Sequence, residues 1–444
     1  MKTDLIVIGS GPGGYRAAEY AAQQGLKVVI IEAKEVGGTC LNCGCIPTKT
    51  LCKNAEILEN LKEADLFGLT NLQYDIDFPK IMERKQKVVE TLRAGVETLL
   101  SCPCITLVKG QASFIDAHTV KVGDEEYNAD NIMIATGSSA KMPPIKGIDL
   151  PHVITSTELL DVQAVPKRLC IVGAGVIGLE FASIFNSFGS EVTVVEFLKE
   201  CLPVFDTDVA KRLRQAIAKR GVNFFMQSGV KEITPEKVIF ERKGKIEEVE
   251  ADLVLIATGR KPNIEGLNLE AVGVECSAQG IVTDEHLRTN IEGIYAIGDV
   301  NARCMLAHAA TFQGIHAINH MINKADAIQL DIMPSAIFTN PEAAGVGLTE
   351  NQCKEQGIVY TCKKGYYRAN GKALAMNEGD GLVKLMADEN GKIIGCYVLG
   401  AHAADLVQEI SSLMTLGTTV KQLADMVHTH PTLEEILQEV SMQF

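Results

Sequence analysis

A glycine-rich unit occurs twice in this chain, at one fixed displacement. Each copy has an apolar segment, a Gly-x-Gly-x-x-Gly motif, an aliphatic stretch, a further glycine and a second apolar segment that ends on glutamate. Gly9 and Gly173 are 164 residues apart, and so are Glu32 and Glu196. The motif glycines are Gly9, Gly11 and Gly14 in the first copy and Gly173, Gly175 and Gly178 in the second. A repeat of this kind predicts two copies of one strand–loop–helix–strand unit.

The residues of each copy suit a dinucleotide. The glycines permit a tight turn and let the backbone approach a pyrophosphate, which then lies at the N-terminus of the helix. An acidic residue at the end of the second strand accepts hydrogen bonds from a ribose. A single motif of this type is weak evidence, since the glycines could serve helix packing alone. Two copies in the same context favour two dinucleotide-binding units.

The rest of the chain predicts the domain organisation. Each copy closes on a strand followed by Ala-Thr-Gly, but the first copy holds about 42 more residues before that point. The strand that ends at Asp299 predicts a return to the first unit. From about Pro334, alternating strands (382–386 and 393–399) and helices (403–415 and 420–426) predict a separate α+β domain. We predict an α/β protein with two Rossmann-like domains, at 1–145 with 265–332 and at 146–264, and a C-terminal α+β domain at 333–444.

Composition excludes several classes of function. A chain of 444 residues, 46% of them hydrophobic, is too large for one core. The net charge of −14 argues against binding to nucleic acid. The apolar runs are too short for a membrane span, and the first residues do not resemble a signal peptide. We therefore predict a cytoplasmic protein in which most of the 13 cysteines are reduced and pack as small apolar residues.

Three cysteines lie close together in the extra segment of the first copy: Cys40, Cys43 and Cys45. A reactive thiol needs nearby positive charge, which Lys49 and the start of a helix predicted from Pro47 to Ala64 would supply. The alternatives are inert structural thiols, or a metal site that also includes Cys52. That spacing matches none of the usual zinc or iron–sulfur patterns, so we expect no metal. Three neighbouring thiols permit more than one disulfide.

A histidine and a glutamate near the C-terminus form a second candidate group. The residue before a proline is extended, so we expect His430 to cap a helix that begins at Pro431 and carries Glu435 about one turn in. A histidine oriented by a carboxylate is a general base, and a dithiol needs such a base to become a thiolate. The alternative is a simple helix cap.

Two motifs resemble the pyridine nucleotide–disulfide oxidoreductases: Gly-Gly-Thr-Cys40 to Lys49, and His430-Pro-Thr-Leu-Glu-Glu435. The resemblance covers nearly the whole chain, and Ile-Pro-Thr-Lys is similar to the lipoamide branch. It implies a homodimer, joined through the C-terminal domain, that oxidises the dihydrolipoamide of a lipoyl-bearing protein of a multienzyme complex and reduces NAD. Cys40 would exchange with the dithiol and Cys45 would face the flavin. His430, oriented by Glu435, would take the proton across the dimer interface.

The resemblance also implies the cofactor contacts. FAD in the first unit would be held by Gly9, Gly11, Gly14, Glu32, Lys49, Gly110, Thr136, Gly137, Asp299, Met305, Leu306, Ala307 and His308. NAD in the second unit would be held by Gly173, Gly175, Gly178, Glu180, Glu196, Val230 and Gly259. Lys49 is also predicted to assist the thiols.

This chain departs from the family pattern at Cys43, where an aliphatic residue is usual, and at Glu434, where serine is usual. Two other functions stay open from the sequence. One is an NADH-dependent reductase of glutathione disulfide or coenzyme A disulfide. The other is a non-enzymatic sensor of metal or nucleotide.

Overall fold

The computed structural model describes residues 2–444. The strands are β1 (Lys2–Ile8), β2 (Val28–Glu32), β3 (Ile105–Lys109), β4 (Ala112–Asp116), β5 (Thr119–Val122), β6 (Glu125–Ile134), β7 (Ser138–Ala140), β8 (Val153–Ile154), β9 (Arg168–Val172), β10 (Glu191–Val195), β11 (Asn223–Phe225), β12 (Ser228–Ile233), β13 (Lys237–Arg242), β14 (Lys245–Glu250), β15 (Leu253–Ile256), β16 (Arg260–Pro262), β17 (Cys276–Ser277), β18 (Gly280–Ile281), β19 (Ile294–Ala296), β20 (Ser335–Ile337), β21 (Ala343–Gly347), β22 (Tyr360–Tyr366), β23 (Leu382–Asp388) and β24 (Ile393–Leu399). The helices are α1 (Pro12–Gln23), α2 (Gly38–Cys43), α3 (Cys45–Lys62), α4 (Phe78–Leu100), α5 (Ser156–Leu159), α6 (Val176–Ser187), α7 (Thr207–Lys219), α8 (Leu269–Val272), α9 (Ala307–Met321), α10 (Glu350–Glu355), α11 (Gly371–Ala375), α12 (Ala403–Thr415), α13 (Val420–Ala424) and α14 (Glu435–Ser441).

The first copy of the repeat forms the centre of a sheet with the order β3-β2-β1-β6-β5-β4. Strand β1 lies between β2 and β6 and is parallel to both. All five residues of β2 are buried, as expected for a parallel strand covered on both faces. The late strand β19 pairs in parallel with β6, so the chain does return to the first sheet.

The second copy forms a parallel sheet with the order β11-β10-β9-β15-β8. Its strand β10 has the bounds that the sequence indicates for the end of the repeat, since Glu196 follows it directly. A three-stranded antiparallel sheet, β12-β13-β14, is inserted before β15. Strands β7 and β16 pair where the chain enters and leaves this region. The residue limits of the two domains stay a prediction.

The C-terminal region forms an antiparallel sheet with the order β20-β21-β24-β23-β22. Helix α12 packs against β21 and β24, and α14 packs against β22 and β23. Strand β24 and helix α12 have the predicted bounds, while β23 extends two residues further and α13 ends two residues earlier. Within residues 2–444, no helix is long and apolar enough to cross a membrane.

Two predicted helix starts are wrong, and both concern candidate site residues. Helix α3 begins at Cys45, two residues before Pro47, so this thiol occupies the first helical position. Helix α14 begins at Glu435 and not at Pro431. Residues 429–432 form a turn instead, in which the Thr432 hydroxyl donates to the Thr429 carbonyl at 2.7 Å. A local hydrogen bond of this type competes with helix formation.

Candidate active site

The structure brings Cys40 and Cys45 together where α2 meets α3. Gly44 links the helices, and a β-carbon there would lie 2.8 Å from the Thr39 carbonyl oxygen and 3.2 Å from the Cys40 Cα. Only glycine allows so close an approach without displacing the backbone. The two sulfurs are close enough for the Cys40 thiol to act as a hydrogen-bond donor toward Cys45.

The two thiols are chemically unequal. The hydrogen bond from Cys40 and the positive charge of Lys49 lower the pKa of Cys45 to about 7, although burial acts in the opposite direction. The same hydrogen bond, together with burial, raises the pKa of Cys40. Near neutral pH, Cys45 is therefore the sulfur that ionises first, and Cys40 keeps its proton. A thiolate is the reactive form of cysteine.

An ion pair with a buried carboxylate holds the cation beside Cys45. The Lys49 Nζ lies 2.9 Å from each carboxylate oxygen of Glu180, and only 3% of Glu180 is exposed. The Phe338 amide also donates to Glu180, at 3.0 Å, and Lys49 lies 4.8 Å from the centre of the Phe338 ring. A buried charge is tolerated only when it is paired and hydrogen-bonded. Three distant segments of the chain thus fix Lys49 in place.

The first nucleotide cradle is built from close backbone contacts. Gly9 has φ of +103°, and a β-carbon at Gly14 would lie 1.9 Å from the Gly9 carbonyl oxygen. Helix α1 begins after Gly11 without a side-chain cap, so its first N–H groups are free of a side-chain acceptor. Glu32 accepts from the Ser10 amide at 2.8 Å and hydroxyl at 2.6 Å, and from the Lys34 amide at 2.7 Å.

The second cradle repeats these contacts at the equivalent positions. Gly173 has φ of +109°, and a β-carbon at Gly178 would lie 2.1 Å from the Gly173 carbonyl oxygen. Glu196 accepts from the Ala174 amide at 2.6 Å and from the Leu198 amide at 2.7 Å. Glu32 and Glu196 are thus each fixed at the carboxyl end of the second strand of their copy, which is where this fold binds a ribose.

Asp299 is hydrogen-bonded in a cluster with Ser138 and Arg260, of which only Asp299 is predicted from the sequence. Ser138 donates a short hydrogen bond to Asp299, and Arg260 Nε donates to the Ser138 hydroxyl at 2.7 Å. Arg260 and Ser138 were missed, although each closely follows one of the two Ala-Thr-Gly segments. The predicted residues Met305 and Leu306 immediately precede α9, and Ala307 and His308 begin it.

His430 and Glu435 meet as predicted, despite the later start of α14. The His430 Nδ1 lies 2.9 Å from one carboxylate oxygen of Glu435, and the Thr432 amide donates to the other at 2.9 Å. These two bonds lower the pKa of Glu435. The His430 side chain is 80% exposed. Within the protomer, no hydrogen bond or ion pair of the described residues connects His430 to Cys40 or Cys45.

Comparison with known proteins identifies the family. The sequence model of the pyridine nucleotide-disulphide oxidoreductases matches residues 3–314, and that of their dimerisation domain matches residues 333–441. The chain belongs to this family. The predicted family and the α/β fold class are therefore confirmed.

Several full-length relatives of this oxidoreductase are named dihydrolipoyl dehydrogenase. It is 39% identical over 450 residues to the dihydrolipoyl dehydrogenase of Chlamydia muridarum, covering 99% of this chain and 96% of the relative. It is 40% identical over 459 residues to that of Bacillus subtilis, covering 99% and 96%. Among solved structures, it is similar to the Cu(II) complex of the HOCl-induced flavoprotein disulfide reductase RclA from Escherichia coli, with a TM-score of 0.89, 30% identity, and 100% and 99% of the two chains covered.

Membership of the pyridine nucleotide-disulphide oxidoreductases establishes the class of reaction and the types of cofactor. The chain is an enzyme that uses a flavin and a pyridine nucleotide, and residues 333–441 form a dimerisation domain. The geometry also changes the interpretation of Glu180, predicted as a nucleotide contact. Both of its oxygens bind Lys49, so its carboxylate also supports the cysteine site, and its contact with the nucleotide stays a prediction.

Proposed function

We propose that this chain is a dihydrolipoyl dehydrogenase: a homodimer that oxidises protein-bound dihydrolipoamide to lipoamide and reduces NAD, using FAD and a Cys40–Cys45 disulfide. The observation that carries the proposal is the contact between two unequal thiols, with Cys45 next to Lys49 and its buried partner Glu180. Identity of 37–40% to full-length proteins of that name supports the substrate.

The unequal thiols suit two successive exchanges with a dithiol. One substrate thiolate attacks Cys40 of the disulfide, the bond between the cysteines breaks, and Cys45 leaves as a thiolate. The second substrate thiol then attacks the substrate sulfur held on Cys40, closing the cyclic disulfide and releasing Cys40. A sulfur of lower pKa leaves faster, so the environment of Cys45 favours the first step. One disulfide is consumed and one is formed.

His430 of the partner subunit is the proposed base. Within one protomer the histidine is exposed, and its ring is oriented through Nδ1 by Glu435, which leaves Nε2 free to accept a proton. A dimer joined through the C-terminal domains would bring this nitrogen to the cysteines of the other subunit. The base takes the proton from the substrate thiol, because only the thiolate attacks a disulfide.

The first cradle fits the flavin cofactor proposed for it. Gly9 and Gly14 leave no room for a β-carbon, the N-terminus of α1 has no side-chain cap, and Glu32 lies at the end of β2, where its carboxylate would accept hydrogen bonds from a ribose. FAD held by the predicted contacts, with Lys49 and Asp299 among them, would supply the two-electron chemistry between the thiols and the pyridine nucleotide. The described residues contain no group of three or more His, Cys, Asp or Glu side chains arranged to hold a metal ion.

The second cradle fits NAD better than NADP. Glu196 is buried and held by two backbone amides, so its carboxylate cannot turn away from a nucleotide. A carboxylate accepts hydrogen bonds from a free ribose hydroxyl and repels the 2′-phosphate of NADP. Gly259, with φ of +113°, and Val230 complete the predicted nucleotide contacts.

The decisive experiment is a panel of substrates with the purified holoenzyme, followed by nicotinamide absorbance. We expect dihydrolipoamide with NAD to give NADH, and NADP to be poor. Cys40→Ser and Cys45→Ser should abolish this reaction while flavin stays bound, whereas Cys104→Ser, which changes an exposed thiol outside the site, is the matched control. Faster reduction of glutathione disulfide or coenzyme A disulfide by NADH would contradict the proposed substrate. A colourless protein without flavin would contradict the proposed mechanism.

A further inference from the structure

A third thiol lies within reach of Cys40. Helix α2 ends at Cys43, so Cys40 and Cys43 are three residues apart in one helix and lie on the same face. Helix geometry puts their Cα atoms about 5 Å apart, inside the range of roughly 4.4–6.8 Å that a disulfide spans. Cys43 is partly exposed. Cys40 therefore has two possible partners, one in α2 and one at the start of α3.

We propose that Cys43 is a third redox-active thiol, which exchanges with the Cys40–Cys45 disulfide to give a Cys40–Cys43 disulfide and a free Cys45. This inference rests on the proposed function in one respect: the Cys40–Cys45 disulfide has to form. The additional thiol is Cys43, at a position where the family pattern has an aliphatic residue and therefore no thiol.

The exchange is balanced within the protein. Cys43 releases its proton to solvent, and its thiolate attacks the Cys40 sulfur. A bond from Cys43 to Cys40 forms as the bond from Cys40 to Cys45 breaks, and the electron pair of the broken bond leaves on Cys45. The centre contains one disulfide and one free sulfur before and after the step. No external oxidant or reductant takes part.

The surroundings of Cys45 favour its departure. The Cys40 thiol makes the largest lowering contribution to the pKa of Cys45, but that hydrogen bond is lost once Cys40 is in a disulfide. The charge of Lys49, one turn further along α3, remains. Cys45 is also the first residue of this 18-residue helix, whose N-terminus carries partial positive charge. The leaving sulfur is thus stabilised as a thiolate, which speeds exchange.

The consequence is competition for Cys40. While Cys40 is paired with Cys43, the disulfide lies within α2 and Cys45 is a free thiolate beside Lys49. In the Cys40–Cys45 form, by contrast, a substrate thiol and Cys43 compete for the same target, the Cys40 sulfur. The enzyme would hold its oxidised centre in two isomeric forms, of which one pairs the thiols proposed for catalysis.

The test locates the free thiol in oxidised holoenzyme. The sample is quenched in acid, which stops exchange because the thiols are protonated, and is then neutralised in denaturant that contains an excess of N-ethylmaleimide, so that free thiols are alkylated before they can exchange. Fragmentation of the peptide containing residues 40–45 then shows whether Cys43 or Cys45 carries the label. We expect label at both Cys43 and Cys45, because exchange populates both disulfides. Label confined to Cys43 would overturn the inference.

Variants separate this inference from the proposed function. Cys43→Val restores an aliphatic side chain and should remove all label from Cys45; Cys43→Ser serves if the valine variant folds poorly. Cys52→Ala is the matched control, because burial raises the pKa of this thiol on α3 to about 12, and it should leave the label distribution unchanged. Label on Cys40, Cys43 and Cys45 together would mean that no disulfide forms, and would contradict the proposed function itself.

Discussion

Lys384 joins the dimerisation domain to the second nucleotide unit, and its removal should destabilise the enzyme strongly. Its Nζ, on β23, lies 2.8 Å from both carboxylate oxygens of Asp206 and 2.6 Å from Glu350. Lys384 is 1% exposed and Asp206 is 2% exposed. Lys384→Met keeps the apolar stem but leaves a buried carboxylate without a cation, which costs about 3–5 kcal/mol in the free energy of unfolding.

Urea denaturation of the holoenzyme measures this cost, and we expect the midpoint to fall by on the order of 1 M or more. Lys364→Met is the matched control: its partner Asp208 is 2.7 Å away, but both side chains are about one-third exposed, so the loss should stay below about 1 kcal/mol. The double variant Asp206→Asn with Lys384→Met should recover part of the stability, because asparagine still caps α7 and the buried charge is gone. Equal losses for the two lysine variants would refute the reasoning.

Three further predictions concern the active site. His430→Gln should lower turnover about 100-fold with flavin still bound, and His428→Gln, the control, should not; equal effects would remove His430 from the mechanism. Gly178→Ala places a β-carbon about 2.1 Å from the Gly173 carbonyl oxygen, so binding of NAD should fall at least tenfold by calorimetry while the flavin spectrum is unchanged. In reduced enzyme, thiolate absorbance should decrease as the pH falls through about 7, and Cys45→Ser should abolish that transition; persistence in the variant would assign it to another thiol.

The sequence predicts those features that depend on local pattern. The repeat locates β1, β2, β9 and β10, because an apolar strand, a glycine turn and a terminal glutamate lie within 30 residues of one another. Helix α12 is found at its predicted bounds because its apolar positions recur with helical spacing. Features that depend on distant contacts were missed. The partner of Glu180 is Lys49, 131 residues earlier, and no local pattern indicates that pairing.

The two copies of the repeat show why such a contact escapes sequence reasoning. Ser10 and Ala174 occupy the same place, and each amide donates to the glutamate of its own copy. The position of Glu180, however, corresponds to Arg16 in the first copy, which is exposed and pairs with Glu19. The same nucleotide cradle is formed in both copies, but it is α6, the helix of the second copy, that packs against α3. The shared motif therefore predicts both nucleotide cradles. It does not predict that Glu180 binds Lys49, because that contact depends on the packing of α6 against α3.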